Sequence, residues 1–296
     1  MSNRRVHVIV NPASGQPKPI LHTLNAVFGK LSVEWDVFIT KAYGDAQRFT
    51  KAAVAAGVDA VAVFGGDGTV MEVAKAVSNT PVPMAILPGG TANLLSVELG
   101  IPKDLNQAAT IAALPDSPVR AVDMGKIGDD YFILRVGLGF PALKVKYADR
   151  KLKNRFGILA YSIAGMKAIK DTQKVRYSLN LDGQSYEVEG LACLIDNAGN
   201  MGVRSVTHSR QVSVDDGLLD VLVVRDSALI ALLTTGAMGD QPREQLFYHW
   251  QARQISVDAD PVQPIQVDGE IGWQTPVAIS VIPGAVRVLV PDKPAS

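Results

Sequence analysis

The sequence predicts an α/β domain with a mostly parallel sheet, followed by a second domain that is a β-sandwich. Up to residue 114, short apolar runs alternate with helix-like segments, as in parallel sheets whose two faces are covered by helices. From Val119 onward, apolar residues recur with a period of two, which indicates antiparallel strands. The composition changes at residues 115–118. We therefore place the domains at 1–118 and 119–285, and expect a last strand at 286–296 to return to the first domain.

The elements of the first domain follow one another at short intervals. The predicted strands are 6–10, 33–40, 59–64 and 84–87, and the predicted helices are 20–30, 45–56, 69–78, 92–99 and 106–114. Three of these strands end in glycine-bearing or polar turns, at 11–15, 65–69 and 88–91. The carboxyl ends of strands in an open α/β sheet form its ligand crevice, so we expect these turns to line a binding site.

The second domain is predicted from alternation. The run 176–189 alternates on both sides of Asp182-Gly183, a pair typical of a tight β-hairpin. The further strands predicted for the sandwich are 218–224, 254–257, 265–267, 277–282 and 286–290, with helices at 156–170 and 228–238.

Composition limits the classes of partner and compartment. The 29 Lys and Arg residues balance 29 Asp and Glu residues, so no nucleic-acid partner is expected. The single cysteine, Cys193, lies in an apolar run, which indicates a buried thiol in a reducing compartment. No apolar run is long enough to span a bilayer. We expect a cytoplasmic protein whose membrane contact, if it has one, is peripheral.

The loop Gly65-Gly66-Asp67-Gly68-Thr69 follows an apolar strand and precedes a helix-like segment. Glycines let the backbone approach an anion, and the first N–H groups of a helix lack intrahelical partners, so a phosphate fits here. A carboxylate beside a polyphosphate needs a cation between them, so Asp67 favours a metal-bound nucleotide. An ordinary strand-to-helix turn with Asp as its cap is the structural alternative.

Two further loops carry similar residues. The segment 11–15 contains Asn11 and Ser14 after the first strand, and the segment 87–93 places Thr91 ahead of a helix. Each is an ordinary turn by itself, but three such loops on one sheet edge favour anion binding. Glu72 lies three residues after Thr69. This is the spacing of a capping box, so a structural role at the start of the helix is one alternative for Glu72.

Five motifs occur in a fixed order along the chain. They are Asn11-Pro-Ala-Ser-Gly15, Gly65-Gly-Asp-Gly-Thr69, Leu87-Pro-Gly-Gly-Thr-Ala-Asn93, Asp216-Gly-Leu-Leu-Asp220 and Asp268-Gly-Glu270. This combination resembles the diacylglycerol kinase catalytic-domain family, which includes bacterial lipid kinases and is related to sphingosine kinases. More distant NAD kinases share the glycine-aspartate loop. The resemblance implies an NAD kinase/diacylglycerol kinase-like fold with the active site in a cleft between the domains, and ATP and Mg²⁺ as ligands.

The resemblance also implies roles for individual residues. The implied ATP-binding residues are Asn11, Ser14, Thr40, Gly65, Gly66, Asp67, Gly68, Thr69 and Thr91. Glu270 is the implied general base, with Asp268 assisting and Asp67 as the competing candidate, although Asp268-Gly269 taken alone predicts a hairpin turn. A structural Mg²⁺ is implied at Ser213, Asp216 and Leu218, where Asp-Gly is also a turn signal.

The predicted function is an ATP- and Mg²⁺-dependent kinase that phosphorylates the hydroxyl of diacylglycerol or a related lipid alcohol. The alternatives are an NAD kinase-like enzyme and a non-catalytic nucleotide- or lipid-binding protein. Leu94 and Pro141 motivate the second alternative, because many family members have Asp at these positions. The expected partners are a lipid presented at the inner face of a membrane and, as an open alternative to a monomer, a second copy in a homodimer. The basic cluster at 144–155 is either a solvated face or an aid to bilayer contact.

Overall fold

The computed structural model describes residues 4–15, 18–139, 173–199, 212–225 and 247–292. The chain divides into two compact units. The first comprises Met1–Met124, Val214–Asp216 and Ile282–Ser296, and the second comprises Gly125–Ser213 and Gly217–Val281. The boundary predicted after residue 118 precedes strand β5 (Val119–Ile127), whereas the structural division falls inside that strand.

The first unit contains the predicted parallel sheet. Its strands are β1 (Arg5–Val10), β2 (Glu34–Ile39), β3 (Ala60–Gly65) and β4 (Met84–Pro88). They lie in the order β2-β1-β3-β4, and every neighbouring pair is parallel. The carboxyl-terminal part of β16 (Val277–Leu289) pairs with β4 in the same direction. β3 and β4 are buried along their whole length, as expected for parallel strands covered on both faces.

Five helices accompany this sheet in the described residues. They are α1 (Ile20–Lys30), α2 (Asp45–Ala55), α3 (Asp67–Val77), α4 (Leu94–Glu98) and α5 (Leu105–Ala113). α3 begins two residues before the predicted start because Gly66 is extended and serves as its N-cap. α4 is shorter than predicted because Asn93 has a φ of 51°, a left-handed conformation that cannot lie inside the helix.

The second unit is the predicted antiparallel β-sandwich. One sheet has the strand order β16-β13-β8-β9, with β5 pairing β6, and the other has the order β12-β11-β10-β7-β14-β15. The strands not yet given are β6 (Asp130–Phe132), β7 (Arg135–Leu138), β8 (Val175–Leu181), β9 (Gln184–Gly190), β10 (Ala192–Asp196), β11 (Leu219–Val224), β12 (Phe247–Ala252), β13 (Gln254–Asp260), β14 (Pro264–Val267) and β15 (Glu270–Gln274). Alternate residues of both sheets form a core that includes Phe132, Tyr177 and Leu138.

Two local features of the second unit are as predicted from the sequence. β8 and β9 form the hairpin predicted at Asp182-Gly183, whose two turn residues have φ values of 50° and 89°. Cys193 is buried, as predicted.

Some predictions fall outside the described residues. They are the helices at 156–170 and 228–238, the basic cluster at 144–155 and Pro141. Within the described part of the chain, no helix has the length and apolar character needed to cross a bilayer.

Candidate active site

The loop after β1 lies against the glycine-aspartate loop after β3. The backbone N–H of Asn11 donates to the Phe64 carbonyl oxygen at 2.9 Å, and Asn11 Nδ2 donates to Thr69 Oγ1 at 2.8 Å. The Gly66 N–H donates to Ser14 Oγ at 3.2 Å. The structure therefore brings Asn11 and Ser14 together with Gly65–Thr69 at one edge of the sheet.

Glycines allow a third loop to join this junction. The Gly89 N–H donates to the Gly65 carbonyl oxygen at 3.0 Å. A Cβ added at Gly90 would lie 2.6 Å from Gly66 Cα, and one added at Gly15 would lie 2.0 Å from the Gly89 carbonyl oxygen. The three loops thus approach more closely than side chains would permit, and their backbone groups line the junction.

Asp67 is half-buried at the first position of α3. Its Oδ1 accepts a hydrogen bond from the Leu94 N–H at 2.7 Å, which ties the glycine-aspartate loop to the start of α4. Burial raises the pKa of the Asp67 carboxyl, and backbone N–H groups at Leu94, Leu95 and Asn93 oppose the rise. Asp67 therefore has a structural partner in addition to the metal and phosphate role that the resemblance implies.

Thr40 and Glu72 connect the loop after β2 to this edge. The Thr40 N–H donates to the Val10 carbonyl oxygen at 2.9 Å, which places Thr40 beside the loop after β1. Glu72 Oε2 accepts from the Gly44 N–H at 2.9 Å. The capping-box alternative for Glu72 was wrong, because α3 begins at Asp67 and Thr69 already lies within its first turn.

Thr91 and Gly68 are both exposed at this edge. The loop that carries Thr91 is closed by Asn93, whose Oδ1 accepts from the Gly90 N–H and whose Nδ2 donates to the Gly90 carbonyl oxygen, both at 2.8 Å. All nine residues predicted to bind ATP thus belong to the first unit and lie at or just after the carboxyl ends of β1, β2, β3 and β4, with Asp67, Gly68 and Thr69 in the first turn of α3.

The Asp268-Gly269 pair lies in the second unit and forms the two-residue turn between β14 and β15, with φ values of 44° and 94°. The Asp268 carboxylate accepts from the N–H groups of Ile133 at 2.9 Å, Leu134 at 3.1 Å and Arg135 at 2.8 Å. Burial raises the pKa of Asp268 to about 6, and these donors together with the Arg135 charge oppose the rise. Asp268 thus fastens the hairpin to the segment before β7.

Glu270 is the first residue of β15 and is exposed. It lies opposite Val267 in the hairpin, so its position is set by the turn that Asp268 holds. The two carboxylates therefore differ in environment, because Asp268 engages backbone donors and Glu270 faces solvent. This difference favours Glu270 over Asp268 as the group that meets an external substrate.

The predicted structural metal residues lie along one segment of chain. Asp216 is exposed, and Ser213 and Leu218 are half-buried on either side of it in the sequence. The preceding turn is held by Arg120, whose side chain donates to both Asp215 carboxylate oxygens at 2.6 and 2.9 Å. In the described ranges, no group of three or more His, Cys, Asp or Glu side chains could hold a metal ion. The site implied here uses one carboxylate and two backbone carbonyls, and it stays a prediction.

Sequence reasoning missed two contacts that shape these loops. Asp45 Oδ2 accepts from the N–H groups of Lys41 at 2.8 Å and Ala42 at 3.0 Å, and Glu72 holds Gly44. The Gly44-Asp45 pair ahead of a helical run was an available signal, because Asp is common at helix starts. The bond from Gly44 to Glu72 had no local signal.

The described residues thus combine a parallel sheet, whose carboxyl edge carries three closely packed glycine loops, with an antiparallel β-sandwich. Residues 5–127 match the family model described as "Diacylglycerol kinase catalytic domain". Residues 135–290 match the model described as "YegS C-terminal NAD kinase beta sandwich-like domain". The chain belongs to the diacylglycerol kinase catalytic-domain family of lipid kinases.

The chain is also similar to individual proteins. A protein of Pseudomonas aeruginosa named "Probable lipid kinase YegS-like" is 33% identical over 261 residues, which cover 87% of this chain and 85% of that protein. An uncharacterized Synechocystis protein is 34% identical over 234 residues, but the match spans only 54% of its length and 77% of this chain. A crystal structure of a diacylglycerol kinase from Bacillus anthracis has the same fold, with a TM-score of 0.76, 24% identity and coverage of 99% of this chain and 98% of that one.

Proposed function

We propose that the protein transfers the γ-phosphoryl group of ATP to the hydroxyl of diacylglycerol or a related lipid alcohol. The observation that carries this proposal is the junction of three glycine loops with Asp67 at the start of α3. Such a junction suits a polyphosphate, and the family membership supports a lipid as the acceptor.

In this proposal the nucleotide phosphates lie over the junction. The N–H groups at the start of α3 donate to phosphate oxygens, aided by the partial positive charge of an eleven-residue helix. Asn11, Ser14 and Thr69, which bond to the loop and to one another in the structure, supply further donors when the nucleotide enters. Thr40 and Thr91 add hydroxyl groups at the two ends of this edge.

A divalent cation fits the chemistry of Asp67. Burial disfavours the charged carboxylate, as the raised pKa indicates, and a neighbouring cation would stabilise it. Carboxylate oxygens are the ligands that Mg²⁺ prefers. A bound Mg²⁺ would neutralise part of the charge on the phosphates. The chain's own contribution is to hold the Asp67 oxygens at the junction through the Leu94 N–H.

The transfer step needs a group to accept a proton. Glu270 takes the proton of the acceptor hydroxyl while that oxygen forms a bond to the γ-phosphorus. The bond between the γ-phosphorus and the oxygen bridging to the β-phosphate breaks, and ADP leaves with that oxygen. Asp268 acts as a positioning residue, because its hydrogen bonds fix the turn that precedes Glu270.

The experiment supplies labelled ATP and Mg²⁺ with vesicles that contain diacylglycerol or other lipid alcohols, and with NAD in a parallel reaction. We expect label in lipid, and a loss of kcat of roughly 100-fold or more in Glu270→Gln, because a general base contributes about that much. Glu189→Gln, an exposed glutamate on strand β9, is the matched control.

Three results would contradict the proposal. Label in NAD alone would favour the NAD kinase-like alternative. Nucleotide binding without label in any acceptor would favour a non-catalytic binding protein. Undiminished transfer by Glu270→Gln would remove Glu270 as the base and return Asp67 to that role, which Asp67→Asn would then test.

A further inference from the structure

The loop after β2 presents an aromatic side chain at the edge of the sheet where the three glycine loops meet. We call that meeting point, which is the proposed phosphate site, the phosphate junction. Tyr43 is 78% exposed, which makes it the most exposed large nonpolar side chain among the residues that the structure describes. Burial of such a ring is favourable, so an exposed tyrosine at a ligand crevice is a candidate contact for a planar ligand.

The backbone that carries Tyr43 is held on both sides. Asp45 accepts from the N–H groups of Lys41 and Ala42, and Glu72 accepts from the Gly44 N–H. Gly44 has a φ of 88°, a left-handed conformation that suits glycine. Glu72 belongs to α3, so the loop bearing Tyr43 is tied to the same helix whose start forms the phosphate junction. The ring is therefore exposed on an anchored loop.

The strand order places the loop after β2 next to the loop after β1, at one end of the junction. β2 and β4 are separated by three strand spacings, roughly 14 Å, with β1 and β3 between them. A phosphate chain above the loops after β1 and β3 leaves the rest of an extended nucleotide within reach of the loop after β2. Thr40 continues the row of polar groups in that direction, since its N–H bonds to Val10 at the end of β1.

We propose that Tyr43 is the stacking platform for the base of the nucleotide, a subsite that rests on the proposed ATP-dependent function. A base stacked on an aromatic side chain gains affinity that is largely independent of base identity, because every base has a π-face. The site would therefore bind nucleoside triphosphates with only modest discrimination between bases. Glu72 and Asp45 act through the backbone and hold the platform in place.

Titration calorimetry without lipid tests this subsite with two probes, Mg²⁺-ATP and Mg²⁺-tripolyphosphate. We expect Tyr43→Ala to weaken ATP binding by roughly 5- to 150-fold, as for the loss of one base-aromatic stack. Tripolyphosphate, which has no base, should bind wild type and variant within twofold of each other. Tyr43→Phe keeps the ring and should bind both probes like wild type.

The results that would contradict the stacking role can be told apart from those that would contradict the proposed lipid kinase activity. Unchanged ATP binding in Tyr43→Ala, equal loss of both probes, or loss in Tyr43→Phe would each overturn the stacking role. If wild type labels lipid while Tyr43→Ala binds ATP normally, this inference alone is wrong. If ATP binding depends on Tyr43 but no lipid is labelled, the proposed lipid kinase activity is wrong and the base subsite stands.

Discussion

Several aspartates use their carboxylates to hold a distant backbone segment, among them Asp67, Asp182 and Asp268. Asp67 accepts from Leu94, and Asp268 accepts from Ile133, Leu134 and Arg135. Asp182, in a hairpin turn like that of Asp268, accepts from the Gln254 N–H at 2.8 Å. Hydrogen bonds to a charged carboxylate are stronger than those between neutral groups, so each aspartate fastens a loop more firmly than a turn alone would.

The raised pKa of Asp268 predicts how stability depends on pH. Its folded-state pKa of about 6 exceeds the ordinary value of about 3.9, so between these values the folded state binds more protons than the unfolded state. The contribution of Asp268 is therefore fully present below about pH 4, and the free energy of unfolding falls as pH rises to about 6, by at most about 1.4 kcal/mol per unit.

Urea denaturation at intervals from pH 4 to 7 measures this dependence. Asp268→Asn removes the ionisable group, so the fall between about pH 4 and 6 should become smaller than in wild type. Asp182→Asn changes the same residue type in a similar hairpin turn and serves as the control. If wild type and Asp268→Asn have parallel pH profiles, the carboxyl does not titrate in this range and the assigned direction is wrong.

At the scale of elements, the periodicity of the sequence was sufficient to predict the parallel sheet and the five helices of the first unit, and the sandwich class of the second unit. These patterns are local, so a strand or helix is legible from its own residues. The start of α3 was predicted two residues late because its N-cap is Gly66, which has no side chain that could signal a cap. The partners of Glu72 and Asp268 were not predictable, since they lie 28 and at least 133 positions away in the chain.

The junction of loops predicts opposite effects for two glycine-to-alanine changes. Gly15→Ala would place a Cβ 2.0 Å from the Gly89 carbonyl oxygen at a φ of 61°, so the loop must shift. We expect a loss of roughly 1–3 kcal/mol in the free energy of unfolding, together with weaker nucleotide binding. Gly68→Ala meets no atom within 4 Å in the first turn of α3, so stability should rise by up to about 1 kcal/mol.

Chemical denaturation of both variants measures the difference. The test is the sign of the change in the free energy of unfolding, because both variants add one methyl group at the same edge of the sheet. Equal stability of the two variants would show that the loops are not packed as closely as the distances indicate. A stabilised Gly68→Ala that binds nucleotide poorly would separate the effect on folding from the effect on the site.

At the scale of the whole molecule, ligand linkage tests whether nucleotide and metal act at the same site. A ligand that binds only the folded state stabilises it by RT ln(1 + [L]/Kd), which is about 2.7 kcal/mol at 100 times Kd. We expect ATP with Mg²⁺ to raise the midpoint of thermal unfolding more than ATP with a chelator does, because the cation offsets repulsion between the phosphates and Asp67. Mg²⁺ alone should have a smaller effect than the two together.

Asp67→Asn gives this test its internal comparison. The amide keeps an oxygen for the Leu94 N–H but removes the negative charge, so the folded state should persist while the Mg²⁺-dependent part of the shift falls. Removal of the charge also lowers repulsion toward phosphate, so ATP with a chelator should stabilise this variant at least as much as wild type. If Asp67→Asn retains the full Mg²⁺ dependence, the cation is bound elsewhere, and Asp67 serves only as the structural link between α3 and α4.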